Sequence, residues 1–182
     1  MGLAREGLER PRLIESSDLH LADGFDCGTP ILNEWLRVHA WTNHTSGSAR
    51  VYVSIDSGAK SIAGFYCLSA GAVEPPDAPA RVAKGLARHP IPVVLIGRLA
   101  VDQKYINQGI GRFLMQDAFQ RIIRTANDIG TRAVMVQAKT RAAVAFYQRL
   151  GFQASTTNPM LFFHLIKDVK RSLDAVGKVR RG

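Results

Sequence analysis

The residues best suited to chemistry cluster at Asn107-Gln108-Gly109-Ile110-Gly111-Arg112, where two glycines stand one residue apart and an arginine follows the second. Glycine lets the backbone take left-handed angles or approach a ligand closely, where a Cβ would obstruct. If this turn opens a helix, several N–H groups and the positive end of the helix dipole converge on one spot, which suits phosphate or pyrophosphate. A plain strand-to-helix turn uses the same pattern, and on these residues alone both readings stand. Two nucleotide motifs are excluded. No Gly-Lys-Ser/Thr follows, and Leu114 occupies the place of the third glycine of the dinucleotide fingerprint.

The elements that must position this turn are legible on either side. Ile91 to Val101 is an apolar run rich in β-branched residues and too short to span a membrane, which predicts a buried central strand. From Phe113 to Arg124, the residues Phe113, Leu114, Asp117, Ala118, Arg121 and Ile122 recur at helical spacing, which predicts an amphipathic helix closed by Gly130. Upstream, Thr29 and Pro30 suit the start of a helix bearing Ile31, Leu32, Trp35, Leu36 and Ala40. Val51 to Ile55 and Ser61 to Ala70 read as a hairpin about Asp56-Ser57-Gly58. Residues 74–92 hold five prolines and read as a loop with a short helical piece. Beyond Gly130 the expected order is a strand from Ala133 to Ala138 and a helix from Thr140 to Leu150 stopped by Gly151. A hairpin of Phe152 to Ser155 with Met160 to Ile166 completes it.

Length and composition narrow the class. A chain of 182 residues with 46% apolar content supports one domain with a proper core. No apolar run approaches a membrane span or a signal-peptide core, so a soluble cytoplasmic protein is expected. Cys27 and Cys67 are far apart, and five scattered histidines lack metal-ligand spacing, so neither a disulfide nor a metal is expected. A formal net charge of +9 fits a polyanionic partner such as nucleic acid, or an anionic cofactor with an acidic partner protein; a merely basic surface fits equally. The predicted boundaries are a flexible start over 1–11, a domain over 12–167 and a basic tail over 168–182.

A second motif, Ala143-Val144-Ala145-Phe146-Tyr147-Gln148-Arg149-Leu150-Gly151-Phe152, follows the glycine turn by some thirty residues. Together the two resemble the GNAT superfamily of acyl-CoA-dependent N-acetyltransferases. That resemblance implies an α/β (α+β) fold: a mixed, mostly antiparallel sheet flanked by helices, with a V-shaped opening at the CoA site. It implies acetyl-CoA as cosubstrate, with backbone groups of Leu99, Ala100 and Val101 on the acyl arm. Ile106, Asn107, Gln108, Gly109, Ile110, Gly111 and Arg112 would lie at the pyrophosphate, with Thr140 and Phe146 as further contacts. Two positions depart from the family pattern: Ile106 stands where glutamine or arginine is usual, and Thr140 where asparagine is frequent.

The N-terminal half narrows the resemblance. Phe25-Asp26-Cys27-Gly28, Leu32-Asn33-Glu34-Trp35-Leu36, Gly64-Phe65-Tyr66-Cys67-Leu68-Ser69-Ala70 and Arg98-Leu99-Ala100-Val101-Asp102 resemble the GNAT toxins of bacterial toxin–antitoxin pairs. This implies acetylation of the α-amino group of aminoacyl-tRNA, a ribbon-helix-helix antitoxin as inhibitor, and a homodimer. Tyr147 is then the acid for the departing thiolate, a phenol of about pKa 10 being matched to that task; at helical spacing from Val144 and Leu150 it also reads as a core aromatic. Arg37, Arg50, Lys84 and Arg88 are candidates for tRNA phosphates, each also readable as a solvated charge. No general base stands out beyond a water-mediated His89 or Asp102. An α-amino group titrates near pKa 8 and needs little help, unlike a lysine near 10.4. Competing expectations are an acetyltransferase of a small amine or protein N-terminus, and a non-catalytic module that holds CoA or a partner.

Overall fold

The computed structural model describes residues 7–179, so residues 1–6 of the expected flexible start over 1–11, with Arg180 and Arg181 of the basic tail, lie outside the described residues. Seven strands form one sheet in the order β1-β2-β3-β4-β5-β7-β6. They are β1 (Arg12–Leu13), β2 (Arg50–Asp56), β3 (Ser61–Val73), β4 (Ile91–Val101), β5 (Ala133–Gln137), β6 (Gln153–Ala154) and β7 (Leu161–Leu165). The helices are α1 (Leu19–Ala22), α2 (Pro30–Glu34), α3 (Ala40–Ser46), α4 (Ala80–Ala83), α5 (Ile110–Asp128), α6 (Arg141–Arg149) and α7 (Ile166–Val179). A π-helical stretch, Trp35–His39, runs between α2 and α3. The mixed, mostly antiparallel sheet with flanking helices is the fold expected. By their contacts the residues form two compact units, one of residues up to Ser69 with Gly97–Ala118, the other of Ala70–Ile96 with Phe119 onward.

In the first unit, β2 and β3 pair antiparallel with Val51 opposite Cys67 and Val53 opposite Phe65. Alternation turns these four residues to one face, where they meet Trp35, Leu36 and Ala40 from the helical segment. Phe65 is the centre of this cluster: Trp35 stacks on it at 5.8 Å and Phe25 meets it edge-on at 5.4 Å. Gly7 to Glu9 are fastened to the far end of β2, the Ser57 N–H reaching Gly7 O at 2.8 Å and the Glu9 N–H reaching Ile55 O at 2.8 Å.

In the second unit, β4 pairs parallel with β5, and β7 lies antiparallel between β5 and β6. Val82 of α4 packs with Ile91, Val93, Ala133, Phe163 and Leu165. Arg132 ties the proline-rich segment down, donating to Val82 O at 2.9 Å and Lys84 O at 3.0 Å.

Three expectations are corrected. The buried stripe of α5 is Ile110, Leu114, Met115, Ala118, Phe119 and Ile122, so Phe113, Asp117 and Arg121 are not its core face. Gly130 is not a left-handed cap: α5 ends at Asp128, and the Ile129 N–H still bonds Thr125 O at 2.9 Å. The basic C-terminal segment is helical as α7, with Val169 buried and Asp168 bonded to Arg81 at 2.9 Å.

Gly64 marks where the sheet is most tightly pressed. A Cβ there would stand 2.8 Å from Leu114 Cδ1 and 2.9 Å from the Ala100 carbonyl oxygen, and the backbone atom has nowhere to go. Gly64→Ala is therefore expected to cost about 1–3 kcal/mol through overpacking, seen as a lower urea midpoint at unchanged slope. An unshifted midpoint would show that α5 and β4 have room to yield.

Candidate active site

The glycine turn begins with a buried carboxylate. Asp102, 2% exposed, follows β4 and donates its own N–H to Ala63 O at 3.0 Å. Its Oδ1 accepts the Lys104 N–H at 2.9 Å and its Oδ2 the Asp26 N–H at 3.0 Å. This cap starts the single 3-10 turn Gln103–Tyr105. The chain then takes two left-handed residues, Asn107 at φ 62° and Gly109 at φ 80°, and enters α5 at Ile110. Left-handed freedom was expected at Gly109 and Gly111. Gly109 bears this out, but the partner is Asn107, the non-glycine type that best tolerates such angles, while Gly111 is an ordinary second residue of the helix.

The first α-helical bond runs from the Phe113 N–H to Gly109 O at 3.0 Å. The N–H groups of Gly109, Ile110, Gly111 and Arg112 therefore precede the hydrogen-bonded ladder and point out of its positive end. Ile106, Asn107, Gly109 and Arg112 are exposed. Gln108 is half-buried and its amide donor is engaged with Lys104 O at 2.8 Å, while Oε1 is buried without a hydrogen-bond partner. A phosphate would repel that acceptor, so in this turn the donors left for an anion are backbone N–H groups and the Arg112 guanidinium. On the preceding strand Ala100 is buried and Leu99 and Val101 are half-buried, and all three belong with the turn to the first unit.

Thr140, Phe146 and Tyr147 belong to the second unit. Thr140 caps α6, its Oγ1 accepting the Ala143 N–H at 3.1 Å, which is the role expected of it as a helix start. The other end of α6 closes with the Phe152 N–H on Tyr147 O at 3.1 Å and the Gly151 N–H on Gln148 O at 3.0 Å, with Gly151 at φ 89°. This is a Schellman motif, and its usual apolar contact is present as Tyr147 against Phe152 at 5.5 Å between ring centroids. The motif explains why the sequence pairs Phe-Tyr with Gly-Phe. The glycine stops the helix, and the returning phenylalanine holds the tyrosine ring. Phe146, half-buried, meets the same ring at 5.4 Å, and His164 packs behind on Phe152 at 5.2 Å, burial lowering the pKa of its imidazole.

Tyr147 itself is 7% exposed, and burial pushes its pKa up to about 12. Its hydroxyl makes no hydrogen bond among the described residues. Both sequence readings of Tyr147 thus meet in one side chain, a core ring carrying a polar tip that the fold does not satisfy.

The basic candidates are divided. Arg37, on the π-helical stretch, and Arg50, which donates to His44 O at 3.2 Å, belong to the first unit; Lys84 and Arg88 belong to the second. All four are exposed and none forms an ion pair among the described residues. Asp102 is buried, and its two oxygens accept the Lys104 and Asp26 N–H groups, so its carboxylate serves the turn. No group of His, Cys, Asp and Glu suited to a metal occurs among the described residues. The sequence reading missed the capping role of Asp102 and the left-handed Asn107; Asp-x-Lys and Asn-x-Gly were the available signals.

A model of the acetyltransferase (GNAT) domain matches residues 47–154, and the chain belongs to that family of acetyltransferases. A tRNA-acetylating toxin of Mycobacterium tuberculosis is 39% identical over 164 residues, 90% of this chain and 96% of the relative. Among solved structures, a tyrosine-to-phenylalanine mutant of KacT superposes with a TM-score of 0.85 at 27% identity, covering 91% of this chain and 99% of its own. AtaT complexed with acetyl-methionyl-tRNAfMet gives 0.81 at 25% identity, covering 91% and 99%. AtaTR bound with acetyl-CoA gives 0.79 at 26% identity, covering 92% and 99%.

The Schellman geometry is directly testable. Gly151→Ala must place a side chain at φ 89°, with its Cβ 3.2 Å from His164 Nε2. The left-handed angle alone costs about 1–2 kcal/mol, so the variant should unfold at a lower denaturant concentration. A midpoint equal to wild type would contradict the cap.

Proposed function

We propose that this chain is an acetyl-CoA-dependent N-acetyltransferase toxin that acetylates the α-amino group of aminoacyl-tRNA and thereby blocks translation. The observation that carries the chemistry is the Tyr147 hydroxyl, set on a buried ring and without a hydrogen-bond partner among the described residues. Family membership and the kinship to tRNA-acetylating toxins support the substrate, as does a net charge of +9. The backbone N–H groups at the start of α5, with Arg112, suit the pyrophosphate of acetyl-CoA, which supplies the activated acetyl thioester. Backbone groups of Leu99, Ala100 and Val101 orient its carbonyl. The neutral α-amine forms the new N–C bond as the C–S bond breaks. Attack leaves the nitrogen of the tetrahedral adduct positively charged; Tyr147 gives its proton to the departing sulfur and regains one from that nitrogen, directly or through solvent, so the products are the amide and the free thiol.

This acceptor needs no strong base. An α-amino group of about pKa 8, lowered further by its ester, is substantially neutral at physiological pH, whereas a lysine is not. The resemblance to GNAT toxins also supports a ribbon-helix-helix antitoxin as inhibitor, a homodimer as the assembled form, and action in the cytoplasm, where charged tRNA is. No helix among the described residues is long and apolar enough to cross a membrane.

Transfer of labelled acetyl from acetyl-CoA to a pool of aminoacylated tRNA tests the reading, with uncharged tRNA, free amines and peptides as controls. Label is expected on charged tRNA alone, and at least about a hundredfold more slowly with Tyr147→Phe, the loss typical of a general acid. Label on peptides or small amines instead would reassign the acceptor. The pH profile follows from the two titrations. Tyr147, pushed up to about 12, stays protonated throughout, so it gives no alkaline fall. The rate should rise as the amine deprotonates above about pH 7 and hold level to pH 9; a decline between these values would contradict Tyr147 as the acid.

A further inference from the structure

Arg98 is the unusual charge of this molecule. It is half-buried on β4, one residue before Leu99, and its guanidinium lies over the Trp35 ring at 4.3 Å from the centroid. Other half-buried arginines show how such a charge is normally met. Arg12 is paired with Asp18 at 2.8 Å, and Arg132 is bonded to two carbonyls at 3.0 Å or less. Arg98 has neither. Among the described residues it makes no ion pair, and its neighbours are an indole face and the buried Cys67 thiol. Taking a cation partly out of water without a counter-charge is unfavourable, and cation–π attraction offsets only part of that cost.

Its placement is specific. Strand alternation puts the Arg98 side chain on the same face as Ala100, which packs in the cluster with Trp35, Phe65 and Cys67. Trp35 opens the π-helical stretch, whose wide turn is closed by the Ala40 N–H on Trp35 O, a feature frequent at functional sites. A guanidinium held over an aromatic face retains its forked N–H donors for an oxyanion and is more weakly hydrated than an ammonium, so it is pre-organised to bind one. An aminoacyl ester has no free carboxylate. The anion that accompanies the amine on a charged tRNA is the phosphodiester backbone.

We propose that Arg98, held on Trp35, is an acceptor-recognition residue that takes the phosphodiester adjacent to the aminoacylated ribose and so places the α-amine beside the Leu99–Val101 strand. This rests on the tRNA reading above. It assigns to the strand two duties on successive residues: the Arg98 side chain for the acceptor, and the Leu99 to Val101 backbone for the acyl group.

The test compares Arg98→Ala, Arg98→Lys and wild type on two acceptors carrying the same amino acid, aminoacyl-tRNA and aminoacyl-adenosine, the second having no phosphate. Arg98→Ala is expected to raise KM for aminoacyl-tRNA about tenfold and to lower the slope of log KM against log salt by about one. KM for acetyl-CoA and for aminoacyl-adenosine should not change. Arg98→Lys should recover part of the loss, because it keeps the charge without the fork. Equal losses on both acceptors, or a parallel rise in KM for acetyl-CoA, would make Arg98 a structural residue and overturn the proposal. An unchanged KM for aminoacyl-tRNA would overturn it too. If wild type acetylates no aminoacyl-tRNA, the tRNA reading fails and takes this assignment with it; if wild type is active and only the Arg98 contrasts fail, the tRNA reading survives.

Discussion

The first unit depends on what Asp102 does at the end of β4. One buried carboxylate accepts N–H groups from Lys104, just ahead in the chain, and from Asp26, far upstream. The upstream partner is itself braced. Asp26 accepts from the Gly28 N–H, Asn33 Nδ2 and Gln103 Nε2, each at 2.8 Å, and its carbonyl takes the Gln103 N–H at 2.8 Å. These bonds hold the carboxyl of Asp26 below the usual carboxylate range. The segment that converts a strand into a helix is thus fixed from both sides before the left-handed residues Asn107 and Gly109 are reached. Orphan N–H groups bind an anion well only if they need not reorganise to do so, and this network supplies that rigidity.

The second unit solves a related problem with other means. Gly151 at φ 89° ends α6 and sends Phe152 back onto Tyr147. The tyrosine ring is fixed by packing alone, between Phe146, Phe152 and Phe162, which leaves its hydroxyl uncommitted. Burial raises its pKa, so the phenol keeps its proton in the resting protein. A side chain placed by hydrogen bonds would have spent the donor that the proposed reaction uses. Arg98 follows the same logic with charge: the indole holds it and does not neutralise it.

Much of this was legible in the sequence because apolar alternation and helical spacing are strong signals. The strand Ile91–Val101, the hairpin of β2 and β3, the start of α6 at Thr140 and its stop at Gly151 were all readable from residue types. What sequence reading misplaced were choices that tertiary contacts decide. Asn107 tolerates the left-handed angle by residue type, but that it takes the angle and Gly111 does not follows from the approach to the turn fixed by Asp102 and Gln103–Tyr105. The buried stripe of α5 is rotated toward Met115 and Phe119, which apolar spacing alone did not separate from Phe113. The end of α5 needs no glycine cap, so Gly130 was a false signal. A basic, weakly apolar segment read as a tail forms α7, where Asp168 bonds Arg81 and Val169 is buried. Thr140 illustrates a double reading, since its hydroxyl oxygen serves the helix cap and leaves only the O–H for a ligand.

Calorimetry can show whether the backbone at the start of α5 holds a pyrophosphate, as proposed. Acetyl-CoA and acetyl-pantetheine, which lacks the pyrophosphate, would be titrated into wild type and Gly111→Asp. Wild type is expected to prefer acetyl-CoA strongly. The aspartate, a negative charge added among the N–H groups, should abolish that preference while leaving the weak binding of acetyl-pantetheine intact. If Gly111→Asp binds acetyl-CoA as wild type does, the pyrophosphate lies elsewhere and the assignment of the turn is wrong.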